Sequence, residues 1–117
     1  MAEKNDCVFC KIIAGKIKAN VIADEENFLV INDAYPKTEG HCLIIPKKHY
    51  TTLLDLPSTI GSEFIDIAKK QALRLIKEGK AEGFNVCQNN FEIAGQIVPH
   101  VHFHIIPRKK GDKIKWD

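Results

Sequence analysis

The sequence predicts an α+β domain in which an antiparallel sheet of about five strands packs against one long helix, with a short helix at the N-terminus. Short apolar runs typical of strands occur on both sides of the chain's centre, whereas a central segment repeats apolar residues at helical spacing. A length of 117 residues suits one domain with its own core. We therefore expect a single domain over 1–117, with a core of about 7–108 and a C-terminal tail of 109–117.

A short helix and three strands are predicted before the centre of the chain. Gly15 ends the helix, and the acidic residues 24–26 separate two apolar runs in the pattern of a β-hairpin. Turn-forming residues between Asp33 and Gly40 predict a loop, and we expect Pro46 to end the third strand. The predicted segments are a helix at 7–14 and strands at 21–23, 27–31 and 41–45.

One long helix and two further strands are predicted in the second half. The helix starts after Pro57, with Ser58 as its expected N-cap, and Gly79 ends it. Its stripe is apolar apart from one glutamine and consists of Ile60, Phe64, Ile67, Ala68, Gln71, Ala72, Leu75 and Ile76. The segments predicted after it are a strand at 83–90, a loop at 91–96 and a strand at 99–106 that Pro107 closes.

The composition gives no support for a nucleic-acid or membrane partner. The formal net charge is only +2, and no apolar run approaches the roughly 20 residues that span a bilayer. The first residues, Met-Ala-Glu-Lys-Asn-Asp, lack the apolar stretch of a signal peptide, so we expect a cytoplasmic protein, with the nucleus as an alternative. In such a compartment the four cysteines are expected to be thiols or metal ligands. Cys42 and Cys87 lie in predicted strands and are expected to be buried as small apolar residues.

Three of the five histidines fall within five residues, in the run His100-Val-His102-Phe-His104. Because side chains alternate along a strand, the three imidazoles are expected on one face, roughly 6–7 Å apart, with the two apolar residues on the other. A cluster of solvent-facing histidines or an accidental metal site is the alternative. Neutral imidazoles serve as nucleophiles and as proton-transfer groups near pH 7, so the row predicts catalysis on one ligand.

The segment from Gly95 to Arg108, GQIVPHVHFHIIPR, resembles the signature of the histidine triad (HIT) superfamily, His-φ-His-φ-His-φ-φ with φ apolar. Two upstream segments, FLVIND at 28–33 and GHCLIIPKKH at 40–49, are similar to further family segments, so the resemblance spans about Cys7 to Arg108. The compact length and the second upstream segment favour the Hint-like branch. The resemblance implies a HIT-like fold and an enzyme that hydrolyses purine nucleotides.

The resemblance also implies a role for each residue of the expected active site. His102 would attack the α-phosphorus of a nucleotide and form a covalent nucleotidyl-histidine, which water then hydrolyses. His104 would orient the nucleophile and help to protonate the leaving group, and His41 would complete the histidine network. The residues expected to hold the nucleotide are Asn89, Gln96 and the loop around Gly95 for the phosphate, Asp33 for the ribose, and Ile22, Phe28 and Ile31 for the base.

One position departs from the closest Hint pattern. Ile97 follows Gln96 where Hint proteins often carry serine, whose hydroxyl would contact the phosphate or the leaving group. The departure bears on the preference for phosphoramidates and not on nucleotide binding, and Ile97 stays among the expected nucleotide-binding residues.

The pair Cys7-Val-Phe-Cys10 is by itself a weak metal signal. Zinc takes four ligands and combines thiolate with imidazole, and His49 and His100 lie outside the expected chemistry. Some HIT proteins look similar here and hold a structural zinc, so the resemblance implies a zinc site made of Cys7, Cys10, His49 and His100. The alternative is that the two histidines form hydrogen bonds without a metal and that the cysteines have no role.

The resemblance implies cleavage of nucleoside 5′-phosphoramidates of the AMP-lysine type, with an AMP- or GMP-like ligand. A dinucleoside polyphosphate hydrolase, or a nucleotide-binding regulatory or scaffold protein with weak catalysis, are the alternatives. Hint-like relatives also pair through the long helix and the adjacent strand, so we expect a homodimer with a ten-stranded sheet. In that dimer, Trp116 in the tail would reach the partner's active site.

Overall fold

The computed structural model describes residues 6–114 and contains two α-helices and five β-strands in that range. Three single 3₁₀ turns lie between them, at Leu53–Asp55, Ser58–Ile60 and Glu92–Ala94. Trp116 lies outside the described residues. In chain order, the regular elements are α1 (Val8–Ile13), β1 (Val21–Asp24), β2 (Phe28–Asn32), β3 (Cys42–Pro46), α2 (Gly61–Lys77), β4 (Gly83–Cys87) and β5 (Phe103–Arg108).

The five strands form one sheet in the order β1-β2-β3-β5-β4, and every neighbouring pair is antiparallel. This confirms the predicted fold class. The last strand inserts between β3 and β4, so β4 occupies one edge of the sheet. The insertion places the histidine-bearing strand directly beside β3.

The two helices cover opposite faces of the sheet. The apolar stripe of α2 packs on one face against side chains such as Val30, Ile44 and Ile105. On the other face α1 packs against Leu29, Leu43 and neighbouring residues. Because strand side chains alternate, every second residue of β2 and β3 belongs to the second, smaller core. No helix in the described part of the chain combines the length and the apolar character needed to cross a bilayer.

The helix N-termini differ from the sequence prediction. Ser58 lies in a 3₁₀ turn rather than at an N-cap, and α2 begins at Gly61 without any side-chain cap. At α1 the cap is Cys7, whose sulfur accepts the backbone N–H of Cys10 at 3.4 Å. The pattern of apolar residues therefore located both helices but not their first turns.

Pro46 ends its strand as predicted, whereas Pro107 does not. Pro46 is the last residue of β3 and pairs with Phe28, and Pro107 lies inside β5 opposite Phe84. The pairing of β3 with β5 stops at Ile105, so the missing N–H of Pro107 breaks no ladder bond on that side. At its other end β5 starts at Phe103, four residues later than expected, and this leaves His100 and His102 outside the strand.

Candidate active site and metal centre

Three strand ends bring His41, His104 and Asp33 together. Asp33 directly follows β2, His41 directly precedes β3, and His104 is the second residue of β5. The backbone N–H of Asp33 donates to the carbonyl of His41 at 3.0 Å, which holds the two strand ends side by side. His104 is opposite Leu43 in β3 and Cys87 in β4, so the ladder fixes its position from both sides.

A directed chain of hydrogen bonds links these groups. The backbone N–H of Lys37 donates to Nδ1 of His41 at 3.0 Å, so this nitrogen carries the lone pair in the neutral ring. The proton then lies on Nε2, which donates to Nδ1 of His104 at 2.9 Å and lies 3.4 Å from Oδ2 of Asp33. It follows that neutral His104 carries its own proton on Nε2, the nitrogen turned away from His41.

His102 has the opposite tautomer. Its Nδ1 lies 2.8 Å from the carbonyl oxygen of His100, which can only accept, so Nδ1 carries the proton and Nε2 keeps a lone pair. The ring centroid lies 5.1 Å from that of His104. Neighbouring rings therefore differ at Nε2, which carries a lone pair in His102 and an N–H in His104.

Burial keeps all three rings neutral near pH 7. Desolvation lowers the pKa of His102 and of His41 below the ordinary 6.5, although the Asp33 carboxylate opposes the shift in both. At His104, desolvation together with the neighbouring His102 and His41 lowers the pKa to about 4. A neutral imidazole is the nucleophilic form, so the site suits attack on an electrophile at physiological pH.

The ligand atoms of Asp33, His41 and His104 lie within 4.8 Å of one another, a spacing that also suits a metal ion. The tautomer of His41 argues against this use. A metal at Nε2 of His41 would move its proton to Nδ1, where the N–H of Lys37 already donates. The hydrogen bonds of this set therefore favour proton transfer over metal binding.

A second group of four side chains, all buried, lies on the α1 side of the sheet: Cys7, Cys10, His49 and His100. Their ligand atoms also lie within 4.8 Å of one another. The sulfur of Cys7 is 3.3 Å from Nδ1 of His100, and the sulfur of Cys10 is 3.2 Å from Nδ1 of His49. A tetrahedral zinc would separate sulfur and nitrogen ligands by about 3.6 Å, so the spacing fits this ion.

The surroundings of His100 also fit a metal ligand. Nε2 lies 2.9 Å from the carbonyl oxygen of Pro46, which fixes the proton on Nε2 and turns the lone pair of Nδ1 toward the cysteines. Burial raises the pKa of the Cys7 thiol, so a cation between the sulfurs is the partner that would stabilise a thiolate here. The four residues expected to bind zinc are brought together with the right donor atoms turned inward.

The loop between β4 and β5 contains the expected phosphate-binding residues, and one of them, Gln96, makes contacts that differ from its expected role. Gln96 is buried, and both polar atoms of its side chain form hydrogen bonds with backbone groups. Its Oε1 accepts from the Phe91 N–H at 2.7 Å, and its Nε2 donates to the carbonyls of Thr51 at 2.6 Å and Val98 at 3.1 Å. The expectation that Gln96 holds a phosphate oxygen is wrong, because these bonds make it the clamp of the loop.

The other loop residues stay available to a ligand. Asn89 is exposed, and its Nδ2 lies 3.4 Å from the carbonyl of Gly95. Gly95 has a φ of 95°, and a Cβ there would lie 3.3 Å from Nδ2 of Asn89, so glycine leaves room for this amide. Ile97 is 91% exposed and extends into solvent beside the loop. Asp33 accepts the Tyr35 N–H at 2.9 Å through Oδ1 and keeps further lone pairs free.

The three residues expected around the base do not lie together. Phe28 is completely buried in the α2-side core, and Ile22 packs against that same core. Both therefore lie on the face of the sheet opposite His102 and His104, and their assignment to the base was wrong. Period-two alternation places neighbouring residues of β2 on opposite faces, so only Ile31 reaches the α1 side.

Sequence reasoning missed Phe9. Its ring lies edge-on to His102 with the centroids 4.9 Å apart, and edge-on to His100 at 5.8 Å. Phe9 belongs to the same core as Ile31 and borders Ile12 of α1. The signal that could have found it is its position inside the Cys7–Cys10 pair, since a metal held there would bring α1 onto the histidines.

The fold and the site together define a protein in which three neutral, hydrogen-bonded histidines lie beside a buried Cys2His2 cluster. The family model described as the HIT domain matches residues 14–111. An adenosine 5′-monophosphoramidase of Saccharomyces cerevisiae is 44% identical over 113 residues, which cover 94% of this chain and 69% of that protein. An uncharacterized HIT-like protein of Methanocaldococcus jannaschii is 44% identical over 106 residues, 91% of this chain and 81% of the other.

Solved structures show the same relationship. The crystal structure of a zinc-bound histidine triad family protein from Mycobacterium smegmatis superposes with a TM-score of 0.88 at 38% identity, covering 95% of this chain and 81% of that one. The chain belongs to the HIT family.

Proposed function

We propose that the protein is a nucleotide hydrolase that cleaves nucleoside 5′-phosphoramidates of the AMP-lysine type through a nucleotidyl group on His102. The observation that carries the proposal is the fixed tautomer of His102, whose Nε2 keeps a lone pair in a ring adjacent to that of His104. The name of the yeast relative, adenosine 5′-monophosphoramidase, supports the choice of substrate.

The first step forms a bond between Nε2 of His102 and the α-phosphorus as the bond from phosphorus to the amine breaks. The hydrogen bond from Nδ1 to the His100 carbonyl stabilises the cationic ring that results. The bound anionic phosphate favours a protonated His104, since a negative charge nearby raises the pKa of an imidazole. His104 gives that proton to the departing amine and becomes neutral.

The second step returns the enzyme to its starting state. A water molecule attacks phosphorus, the bond to Nε2 of His102 breaks, and the water's proton passes to His104. AMP leaves, and His102 is again neutral. His41 orients neutral His104 through the 2.9 Å bond, and the Asp33 carboxylate, 3.9 Å from Nδ1 of His104, stabilises the cationic form of the acid.

The nucleotide lies across the same end of the sheet in this proposal. Asn89 and the backbone around Gly95 and Ile97 bind the phosphate oxygens. The free lone pairs of Asp33 accept hydrogen bonds from the ribose hydroxyls. Ile31, together with Phe9 and Ile12 of α1, offers the apolar surface for the base, because these three side chains share the core on the histidine side.

Zinc is proposed at the Cys7, Cys10, His49 and His100 cluster as a structural ion. When bound, it supplies a four-coordinate cross-link between α1 and the segments around His49 and His100. All four positions are protein ligands, so no coordination site stays open for substrate.

A homodimer is proposed through the β4 edge of the sheet and α2. Large apolar side chains stay exposed on both elements, 43% for Phe84, 47% for Val86 and 51% for Leu73. An unpaired strand edge bordered by apolar side chains favours pairing with another chain. Two sheets joined in this way would give the ten strands expected from the sequence.

The test is hydrolysis of adenosine 5′-phosphoramidate, AMP-lysine and a diadenosine polyphosphate by the wild type and His102→Gly. We expect the phosphoramidates to be cleaved faster than the polyphosphate, and the substitution to lower kcat by at least about 10³-fold. Added imidazole should restore part of the rate, because it can occupy the vacated space and act as the nucleophile. Unchanged turnover in His102→Gly would contradict the assignment, and faster cleavage of the polyphosphate would contradict the proposed substrate class.

A further inference from the structure

His102 is not held by the sheet. The ladder bonds of β5 begin at Phe103, and the residues just before it have no strand pairing. The backbone of this segment is anchored by the Val101 N–H, which donates to the Tyr50 carbonyl at 2.7 Å. Two buried side chains also anchor it: Val101 packs in the α2-side core, and His100 reaches Cys7 on one side and the Pro46 carbonyl on the other.

We propose that the Cys2His2 cluster positions the nucleophile, and that a metal ion bound there sets the rate at which His102 is adenylylated. This inference rests on the proposed function. The residues that carry the coupling are His100 and Phe9, acting as positioning residues. They connect the metal ligands to the His102 ring by two separate contacts.

The first contact runs through the backbone of His100. The side-chain Nδ1 of His100 lies 3.3 Å from the sulfur of Cys7 and 3.6 Å from that of Cys10. The backbone carbonyl of the same residue accepts the Nδ1–H of His102 at 2.8 Å. One residue therefore provides both a metal ligand and the acceptor that selects the tautomer of the nucleophile. Loosening the side chain of His100 moves the acceptor and lets the proton of His102 shift to Nε2.

The second contact runs through α1. Phe9 lies between the two cysteines in sequence, and its ring meets His102 and His100 edge-on. Ligation of Cys7 and Cys10 fixes the one turn of helix that carries this ring. A six-residue helix has little stability alone, so its position depends on such a tether.

His104 provides an internal control for the coupling. It lies within the ladder, and its partner His41 is held by the Lys37 N–H rather than by the cluster. The inference therefore predicts that metal removal disturbs His102 and leaves the bond between His41 and His104 intact. A general loss of structure would disturb both.

The experiment measures imidazole ¹⁵N chemical shifts of the intact, nucleotide-free protein before and after zinc removal by a chelator, and again after zinc is returned. We expect His102 to change from a single Nδ1–H tautomer to a mixture, while the His104 shifts stay constant, and zinc to reverse the change. The single-turnover rate of adenylylation should fall by about 10²-fold, the cost of roughly 1 Å of misplacement of a reacting group, mainly through kcat rather than KM.

Two matched pairs of variants separate coupling from stability. Cys10→Ser removes a ligand, whereas Cys42→Ser makes the same change at a buried cysteine of the α2-side core. Phe9→Leu keeps all four ligands and removes the ring, whereas Phe64→Leu makes that change on the other face of the sheet. We expect the first member of each pair to shift the His102 tautomer and the second to leave it unchanged.

The inference is wrong if the chelated protein, still folded, keeps the His102 shifts and adenylylates within twofold of the zinc-loaded rate. If chelation and Cys10→Ser both unfold the chain, Phe9→Leu decides, and an unchanged His102 tautomer in that variant overturns the proposal. If the wild type cleaves no phosphoramidate, the proposed function fails, while the ¹⁵N shifts still test the coupling on their own.

Discussion

Replacing Gln96 with methionine should weaken the fold and not the chemistry. The glutamine makes three hydrogen bonds to backbone groups, those of Phe91, Thr51 and Val98. At about 1 kcal/mol each, their loss costs about 3 kcal/mol of unfolding free energy. Phe91 has a φ of 71° and a ψ of 155°, and its relaxation would return about 1 kcal/mol. We therefore expect Gln96→Met to lower the free energy of unfolding by about 2 kcal/mol.

Urea unfolding followed by circular dichroism measures this loss, and steady-state kinetics on adenosine 5′-phosphoramidate measures the effect on binding. The matched variant is Asn89→Ala, whose exposed side chain contacts only Gly95 within the loop, at 3.4 Å. We expect it to raise KM while the free energy of unfolding stays within about 0.5 kcal/mol of the wild type. If Gln96→Met instead kept full stability and raised KM as Asn89→Ala does, Gln96 would be a phosphate ligand and the clamp assignment would be refuted.

Three further predictions concern stability, pH and assembly. Gly40→Ala places a Cβ 2.7 Å from Leu75 at a backbone φ of 95°, so we expect the free energy of unfolding to fall by about 3 kcal/mol in urea or thermal unfolding. The control is Gly15→Ala, whose Cβ meets no atom within 4 Å and should cost only about 1 kcal/mol. Equal losses in the two variants would contradict this prediction. The folded-state pKa of His104, about 4, lies below the ordinary 6.5, so the stability that its neutral form maintains is complete above pH 6.5 and is lost as the pH falls toward 4. In urea titrations between pH 6.5 and pH 4, the free energy of unfolding of the wild type should fall by up to about 3 kcal/mol more than that of His104→Gln. Parallel pH profiles of the two proteins would contradict this prediction. In light scattering, the wild type should have the mass of a dimer, twice the chain mass of 13.2 kDa, and Phe84→Glu should have the mass of one chain. A dimeric Phe84→Glu protein would exclude the β4 edge as the interface.

The helices and strands of the fold were predicted from local patterns of apolar residues, and the structure contains these elements. Helical spacing located α2, and short apolar runs located β2 and β3, because a strand covered on both faces is apolar throughout. Alternation located β4, which lies at the edge of the sheet. The division of the histidines into two groups was implied by the family resemblance, and the structure does bring His49 and His100 to the Cys7–Cys10 pair and His41 to His104.

The errors arose where tertiary contacts decide. Gln96 looked like a ligand residue because nothing in the sequence reveals the backbone groups of a distant loop, such as Thr51, that occupy its amide. Phe28 and Ile31 differ by three positions along one strand, which puts them on opposite faces, yet only the packing of α1 and α2 shows which face carries the histidines. Phe9 was missed because its contact to His102 spans most of the chain.

In the proposed reaction, His102 carries the nucleotide during turnover. Rapid mixing of the enzyme with adenosine 5′-phosphoramidate, followed by a quench that avoids acid and by mass spectrometry of the digested protein, tests it directly. We expect one adenylyl group, found on the peptide that contains His102 and absent from the His102→Gly protein. An adenylyl group on His104 or His41, or turnover at the full rate with no labelled peptide at any time point, would contradict it.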